Sequence, residues 1–276
     1  AYTDNLKVEH ILIDKLEDLY KIQSSKYVQS NIKDCYFQAK KLLDNNKIVL
    51  FTGTPCQIAG LYSFLGYKQY DNLYSIDLIC HGVPSPKFLN KYFEYMRKKM
   101  GEPILEYNFR SKDNRGWGTQ YLIKTKTKTK TKILSLDKYG KHFMLGDCYR
   151  ESCYQCKYAT TNRVGDITIG DFWGIQKCNP RFFSENGVSS VIVNTKKGEW
   201  LINHVQNVDI IECTLNDVLI KQGNLVKPTL RTVSRDTFYN HLNENNFIEN
   251  LKVGLSIKNR LKSIIPKKII RFFKQF

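Results

Sequence analysis

The sequence has no apolar run approaching the roughly 18 residues that a membrane-spanning helix needs, so no span is encoded. Its N-terminus has no apolar stretch of the kind that marks a secretory leader. It begins at Ala1, not at methionine, in what reads as the middle of an element, and the expectation is a domain cut from a longer protein. No G-x-G-x-x-G fingerprint opens the predicted helices, so a dinucleotide site of that type is not indicated. Acidic residues are scarce. The 26 Asp and Glu against 43 Lys and Arg leave a net charge of +17, which implies anionic partners without naming them. Eight cysteines in 276 residues are too few and too clustered for a secreted disulfide scaffold. In a cytosolic protein such clusters mean metal or redox chemistry, and the expected location is the cytoplasm.

What is present supports a sizeable core: 42% of the residues are hydrophobic and 25% charged. Apolar, β-branched runs at 6–14, 48–52, 73–80, 163–174, 188–195 and 208–214 read as strands. Helical periodicity follows at 31–46, 56–65 and 196–206. After Ser85, an N-cap with Pro86 at the first helical position, the residues Phe88, Leu89, Tyr92, Phe93 and Met96 form one apolar face. This alternation predicts an α/β fold, with a mainly parallel sheet core, an antiparallel β insert at about 103–136 and a helical C-terminal extension. The expected domains are 1–215 and a helical extension over 216–276. The run "KTKTKTKTK" at 124–132 alternates with period two, and reads as an edge strand guarded by lysines or as a low-complexity insert.

The chemistry-bearing residues are thiols. "LFTGTPCQIAGL" puts Cys56 at a strand-to-helix junction, near backbone N–H groups and the positive end of a helix dipole. "IDLICHGVPSP" puts Cys80 at the equivalent point of the next strand-helix unit. In open α/β sheets that edge is where ligands sit. A third stretch, "GDCYRESCYQCKYATTNRVGDITIGDFWG", holds Cys148, Cys153 and Cys156. The C-x2-C step is a tight local chelate, and two ligands from it plus Cys56 and Cys80 make four. Four thiolates suit a tetrahedral zinc or a [4Fe–4S] cluster. Two ligands arriving singly from a sheet edge, not as a second knuckle, favour the cluster. Cys35 and Cys213 read as core, and Cys178 has no local partner.

The ordered motifs "LFTGTPCQIAGL", "IDLICHGVPSP", "NFRSKDNRGW" and "SCYQCKYATTNRVGDITIGDFWG", with "SSKYVQS" upstream, resemble the beta-subunit family of coenzyme F420 hydrogenase and dehydrogenase, and its bacterial relatives from surface-polysaccharide gene neighbourhoods. The resemblance covers roughly residues 1–200. It implies an iron–sulfur flavoprotein oxidoreductase that passes electrons between a cluster, FAD and a small-molecule acceptor. It assigns Cys56, Cys80, Cys153 and Cys156 as cluster ligands and leaves Cys148 spare. Many such proteins carry a ferredoxin-like segment that this sequence does not contain, so the implied partner is an electron-donor protein or a ferredoxin domain that is fused to the chain or missing with its start.

A flavin asks for an aromatic wall, a positive group near its pyrimidine edge and phosphate donors. The candidates are Thr52, Gly53 and Thr54 at a helix start, Lys26 and Tyr27 with Ser25 and Gln29 in the upstream loop, and Arg110, Lys112 and Trp117 around a turn. Asp166 and Asp171 are candidates for a ribose or flavin edge, and His81 for proton donation. Two rival readings are a zinc-stabilised basic protein that grips nucleic acid and a cluster-bearing scaffold for glycan assembly. Against the nucleic-acid reading, the lysines are interleaved with no aromatic platform. The stretch 255–276, "LSIKNRLKSIIPKKIIRFFKQF", has seven basic residues, no acidic one, and apolar residues at helical spacing, and reads as a helix that meets an anionic membrane surface or packs on the core.

Overall fold

The computed structural model describes residues 1–113 and 116–253. The basic stretch 255–276 lies outside the described residues. Among these residues seven strands occur in chain order: β1 Val49–Gly53, β2 Leu73–Leu78, β3 Glu106–Asn108, β4 Gln120–Lys124, β5 Thr129–Ile133, β6 Ile167–Asp171 and β7 Ser189–Val193. They make two sheets, ordered β1-β2-β6-β7 and β3-β4-β5. The first is parallel from β1 through β6 and antiparallel only at β7. The second is antiparallel throughout. The fold is the expected α/β architecture: a mostly parallel core, an antiparallel insert and short helices toward the C-terminus.

Each crossover helix is legible in its residues. The helix Pro55–Phe64 starts with proline at its first position. There the backbone N–H and hydroxyl of Thr54 both donate to Gln57 Oε1, each at 3.0 Å. The helix Pro86–Met100 is capped by Ser85, whose hydroxyl accepts the Lys87 N–H at 3.2 Å, and it ends at Gly101 in the left-handed conformation. Its predicted face, Phe88, Leu89, Tyr92, Phe93 and Met96, is buried.

That face packs into a large aromatic core with Tyr107, Phe109, Tyr121, Tyr139, Tyr149 and Phe238, which ties the insert and the C-terminal helices together. A second core lies between the first sheet and the helices Cys35–Asp44 and Pro55–Phe64. It covers the sheet face that carries Val49, Phe51 and Leu73. On the other face Trp200 meets Tyr74, with ring centroids 5.7 Å apart, while Leu50, Leu78, Val191 and Val193 stay exposed.

Two predicted strands do not form. The segment 6–14 makes only isolated bridges, Tyr2 to Val8 and Glu9 to Asn31. The segment 208–214 has no regular secondary structure and no ladder. Both have the right alternation and lack a neighbouring strand to pair with, which alternation alone cannot supply. Cys213 is consequently exposed and not part of a core, whereas Cys35 and Cys148 are buried as core residues.

Candidate functional site

In the parallel register of β1 and β2, Gly53 faces Asp77. Cys56 and Cys80 each follow three residues later, so the two thiols emerge side by side from the carboxyl edge of the sheet. The third stretch is brought to the same edge by a short backbone seam. Pro84 bridges Tyr149, and the Arg150 N–H donates to the Val83 carbonyl at 3.0 Å. Gly82 makes this approach fit: its φ is +126°, and a Cβ there would stand 2.4 Å from Cδ2 of Tyr149. The short helix Glu151–Tyr154 follows at once and carries Cys153, with Cys156 just beyond it.

Burial pushes the Cys80 thiol up to about 12, and the fields of Cys153, Cys56 and Cys156 add to the rise. Cys153 is raised too, by burial first and then by Cys56 and Cys156, with the Val83 backbone opposing. The four thiols are therefore electrostatic neighbours. Cys56 is the exposed member, and its Sγ lies 3.2 Å from Thr54 Oγ1. Among the described residues, no three His, Cys, Asp or Glu side chains converge closely enough to hold a single metal ion. The donor chemistry fits a thiolate-bound centre: a metal cation would offset the burial that here favours the neutral thiols.

Under this edge lies a pair that the sequence reading missed. Asp77 is fully buried on β2, and Arg163 Nη2 donates to its Oδ1 at 2.7 Å. Asp77 Oδ2 accepts the N–H groups of Val164 and Gly165 at 3.2 and 2.9 Å. An aspartate inside the apolar run "LYSIDLIC" was the available signal, since buried carboxylates are rare unless paired.

The flavin candidates divide. Tyr27, Arg110, Asp171 and Trp117 come together. Arg110 Nη1 donates to Asp171 Oδ2 at 2.7 Å and to the Tyr27 hydroxyl at 2.9 Å. Trp117 Nε1 donates to Asp171 Oδ1 at 2.9 Å. The guanidinium lies 5.1 Å from the Trp173 ring, which stacks on Trp117 at 4.7 Å. Arg110 Nε is buried with no hydrogen-bond partner. Tyr27 stacks on Phe143 at 4.3 Å, Phe143 meets Tyr149 edge-on at 5.5 Å, and Tyr149 lies against Gly82. The aromatic cluster and the thiol edge thus adjoin. His81, beside Cys80, keeps an exposed face. Its packed surroundings lower its pKa and the Asp171 carboxylate opposes them.

Other candidates are engaged elsewhere. Asp166 lies just before β6, at the sheet edge opposite the thiols, where it accepts from the Ser75 N–H and hydroxyl at 2.8 and 2.9 Å and from Thr195 at 2.6 Å. Lys26 Nζ closes its own loop on the carbonyls of Gln23 and Ser24, and burial lowers its pKa. Thr52 is exposed on β1 and Gly53 is buried. At this helix start Pro55 has no N–H, and those of Thr54 and Gln57 are used within the turn, the latter on the Thr54 carbonyl at 2.9 Å. Lys112 is exposed beside Arg110.

A family model for the C terminus of the coenzyme F420 hydrogenase/dehydrogenase beta subunit matches residues 46–217. No curated protein matches. Among solved structures, a chain from the xenon-derivatised F420-reducing [NiFe] hydrogenase complex of Methanosarcina barkeri is similar, at 16% identity and a TM-score of 0.41. The alignment covers 68% of this chain, which spans 57% of that one. The family match takes in β1, β2, the antiparallel insert, the C-x2-C turn and β6–β7, and the chain belongs to the coenzyme F420 hydrogenase/dehydrogenase beta-subunit family, a family of redox proteins, through its C-terminal domain.

Proposed function

We propose that this chain is the electron-transferring core of an iron–sulfur flavoprotein oxidoreductase. In this reading Cys56, Cys80, Cys153 and Cys156 hold a [4Fe–4S] cluster, and the cluster of Tyr27, Arg110, Asp171 and Trp117 receives the flavin of FAD. A cluster moves electrons singly and a flavin in ones or twos, so the pair would let the protein couple one-electron and two-electron partners. The observation that carries the reading is the gathering of four thiols from three separate stretches at one sheet edge.

The chain's own residues suit these roles. The aromatic side chains around Arg110 form a wall, and Arg110 offers a fixed cation with an unused N–H donor. Asp171 orients that cation through Oδ2 and steadies Trp117 through Oδ1. His81, next to Cys80 and in the field of Asp171, is the candidate to hold a proton for a reduced substrate. The electron donor would be a separate protein or a ferredoxin-like segment, and the acceptor a small molecule, with a role in surface-polysaccharide synthesis.

Anaerobic purification tests the whole reading. The expected protein is brown, with a broad absorption near 400 nm, iron and acid-labile sulfide in equal amounts, and FAD released on denaturation. A colourless protein loaded with zinc would overturn it.

A further inference from the structure

We propose that the Asp77–Arg163 ion pair is a positioning pair for the thiols, moulding the loop after Cys156 and locking it to the strand that leads into Cys80. The inference rests on the metal-centre reading above.

Arg163 reaches both sides of the site. Its Nη1 donates to the carbonyls of Tyr158 at 2.8 Å and Thr160 at 3.1 Å. Its Nη2 donates to Asp77 Oδ1 at 2.7 Å and the Leu78 carbonyl at 3.2 Å, and its Nε to Thr168 Oγ1 at 3.1 Å. Tyr158 stands two residues after Cys156, and Leu78 two residues before Cys80. A single guanidinium therefore ties together the backbones next to both thiols. Thr168 faces Asp77 across the β2–β6 pair, so the same side chain also clamps the two strands.

Both side chains are shut from solvent, Arg163 at 1% exposure and Asp77 at 0%. A buried ion pair is a weak stabiliser, because removing two charges from water offsets most of their attraction. What it supplies is geometry: five directed donors from Arg163 leave the 158–165 backbone one arrangement. Gly165 belongs to the same device. A Cβ there would stand 2.8 Å from the Asp77 amide nitrogen, so only glycine lets this backbone lie against β2.

Three variants test the assignment: Arg163→Lys, Thr168→Val, and the double variant Asp77→Asn with Arg163→Met. The double variant leaves no unpaired buried charge and is expected to recover the fold, while the Tyr158 and Thr160 carbonyls still lose their donor. Two readouts apply: metal retained against a chelator, and peptide-resolved alkylation rates of Cys156 and Cys80 in metal-free protein. The expected results are metal retention weakened about tenfold or more in Arg163→Lys and in the double variant, faster alkylation of Cys156 in both, and an intermediate effect of Thr168→Val. A folded double variant with wild-type alkylation and wild-type metal retention would overturn the proposal. If wild-type protein takes up neither iron nor zinc, the metal-centre reading fails, and the alkylation pattern alone decides whether the pair positions the loop.

Discussion

Gly53 and Asp77 are register partners in the first sheet, and each is followed three residues later by a cysteine. That equivalence puts Cys56 and Cys80 at corresponding points of one sheet edge, to which the proposed site adds the C-x2-C turn. Cys56→Ser, Cys80→Ser, Cys153→Ser and Cys156→Ser are each expected to lose most of the bound metal. Cys35→Ser, in the helix core, and the exposed Cys213→Ser are expected to keep it. Metal analysis after anaerobic purification checks this. Full content in any of the first four variants would remove that residue from the ligand set.

The Arg110–Asp171 contact predicts a separation between flavin binding and folding. Asp171→Asn keeps one acceptor and one shape but loses the charge that orients Arg110. The expected outcome is FAD lost on gel filtration. The stability change should stay within about 1–2 kcal/mol, because Asp171 is partly solvated and its pairing screened. Wild-type flavin occupancy in this variant would place the cofactor away from the cluster.

A Cβ at Gly82 tests the seam between the two thiol-bearing stretches. Gly82→Ala must accommodate a left-handed φ and a contact of 2.4 Å with the Tyr149 ring. The expected cost is about 1–3 kcal/mol in urea unfolding, together with lower metal content. Gly66→Ala, at a positive φ in open space, carries the backbone strain alone and should leave metal content unchanged. Equal metal content in the two variants would refute a role for the seam.

How far the sequence foresaw this architecture depended on the range of the interaction. Strand-helix units were legible because cap, proline and apolar face lie within a few residues, as at Ser85–Pro86. The thiol edge was legible because equivalent strand ends imply a shared edge. The Asp77–Arg163 pair joins residues 86 apart in sequence, and the contact of Arg110 with Asp171 spans 61. Nothing local in either residue announces its partner. The absent strands at 6–14 and 208–214 failed for the same reason: a ladder is a property of two segments, and alternation describes one.

Packed imidazoles contribute a loss of stability in mild acid. Burial lowers the pKa values of His10 and His142, and for His142 the Asp147 carboxylate, 2.9 Å from Nδ1, opposes the shift without cancelling it. A base with a folded-state pKa below its ordinary value of 6.5 binds fewer protons folded than unfolded. The stability these two groups contribute should therefore fall as pH drops below about 6.5, and their part of the loss is complete below their folded-state values. His142→Gln, which cannot charge, should show a shallower decline over that range in urea titrations. An unchanged slope would assign the acid sensitivity to other groups.

The lysine run has a structural reason that predicts its own test. β5 is an edge strand, hydrogen-bonded to β4 on one side only. In that register Lys130 pairs with Ile123 and Lys132 with Tyr121, and both partners are buried. The two lysines thus share that sheet face, Lys130 half-buried and Lys132 exposed. Burial lowers the pKa of Lys130, and the nearby Lys132 and Lys99 lower it further. An edge strand with open backbone donors and acceptors is a template for another chain. Charges set along an edge strand oppose that pairing, because a second strand would have to desolvate them. Replacing both with valine keeps the strand's β-propensity and removes the guard. Lys130→Val with Lys132→Val should leave the far-UV circular dichroism unchanged and produce concentration-dependent association by sedimentation velocity. Lys124→Val with Lys126→Val, outside β5, should not associate. A double variant at 130 and 132 that stays monomeric wherever the wild-type chain does would show that the run has no such role.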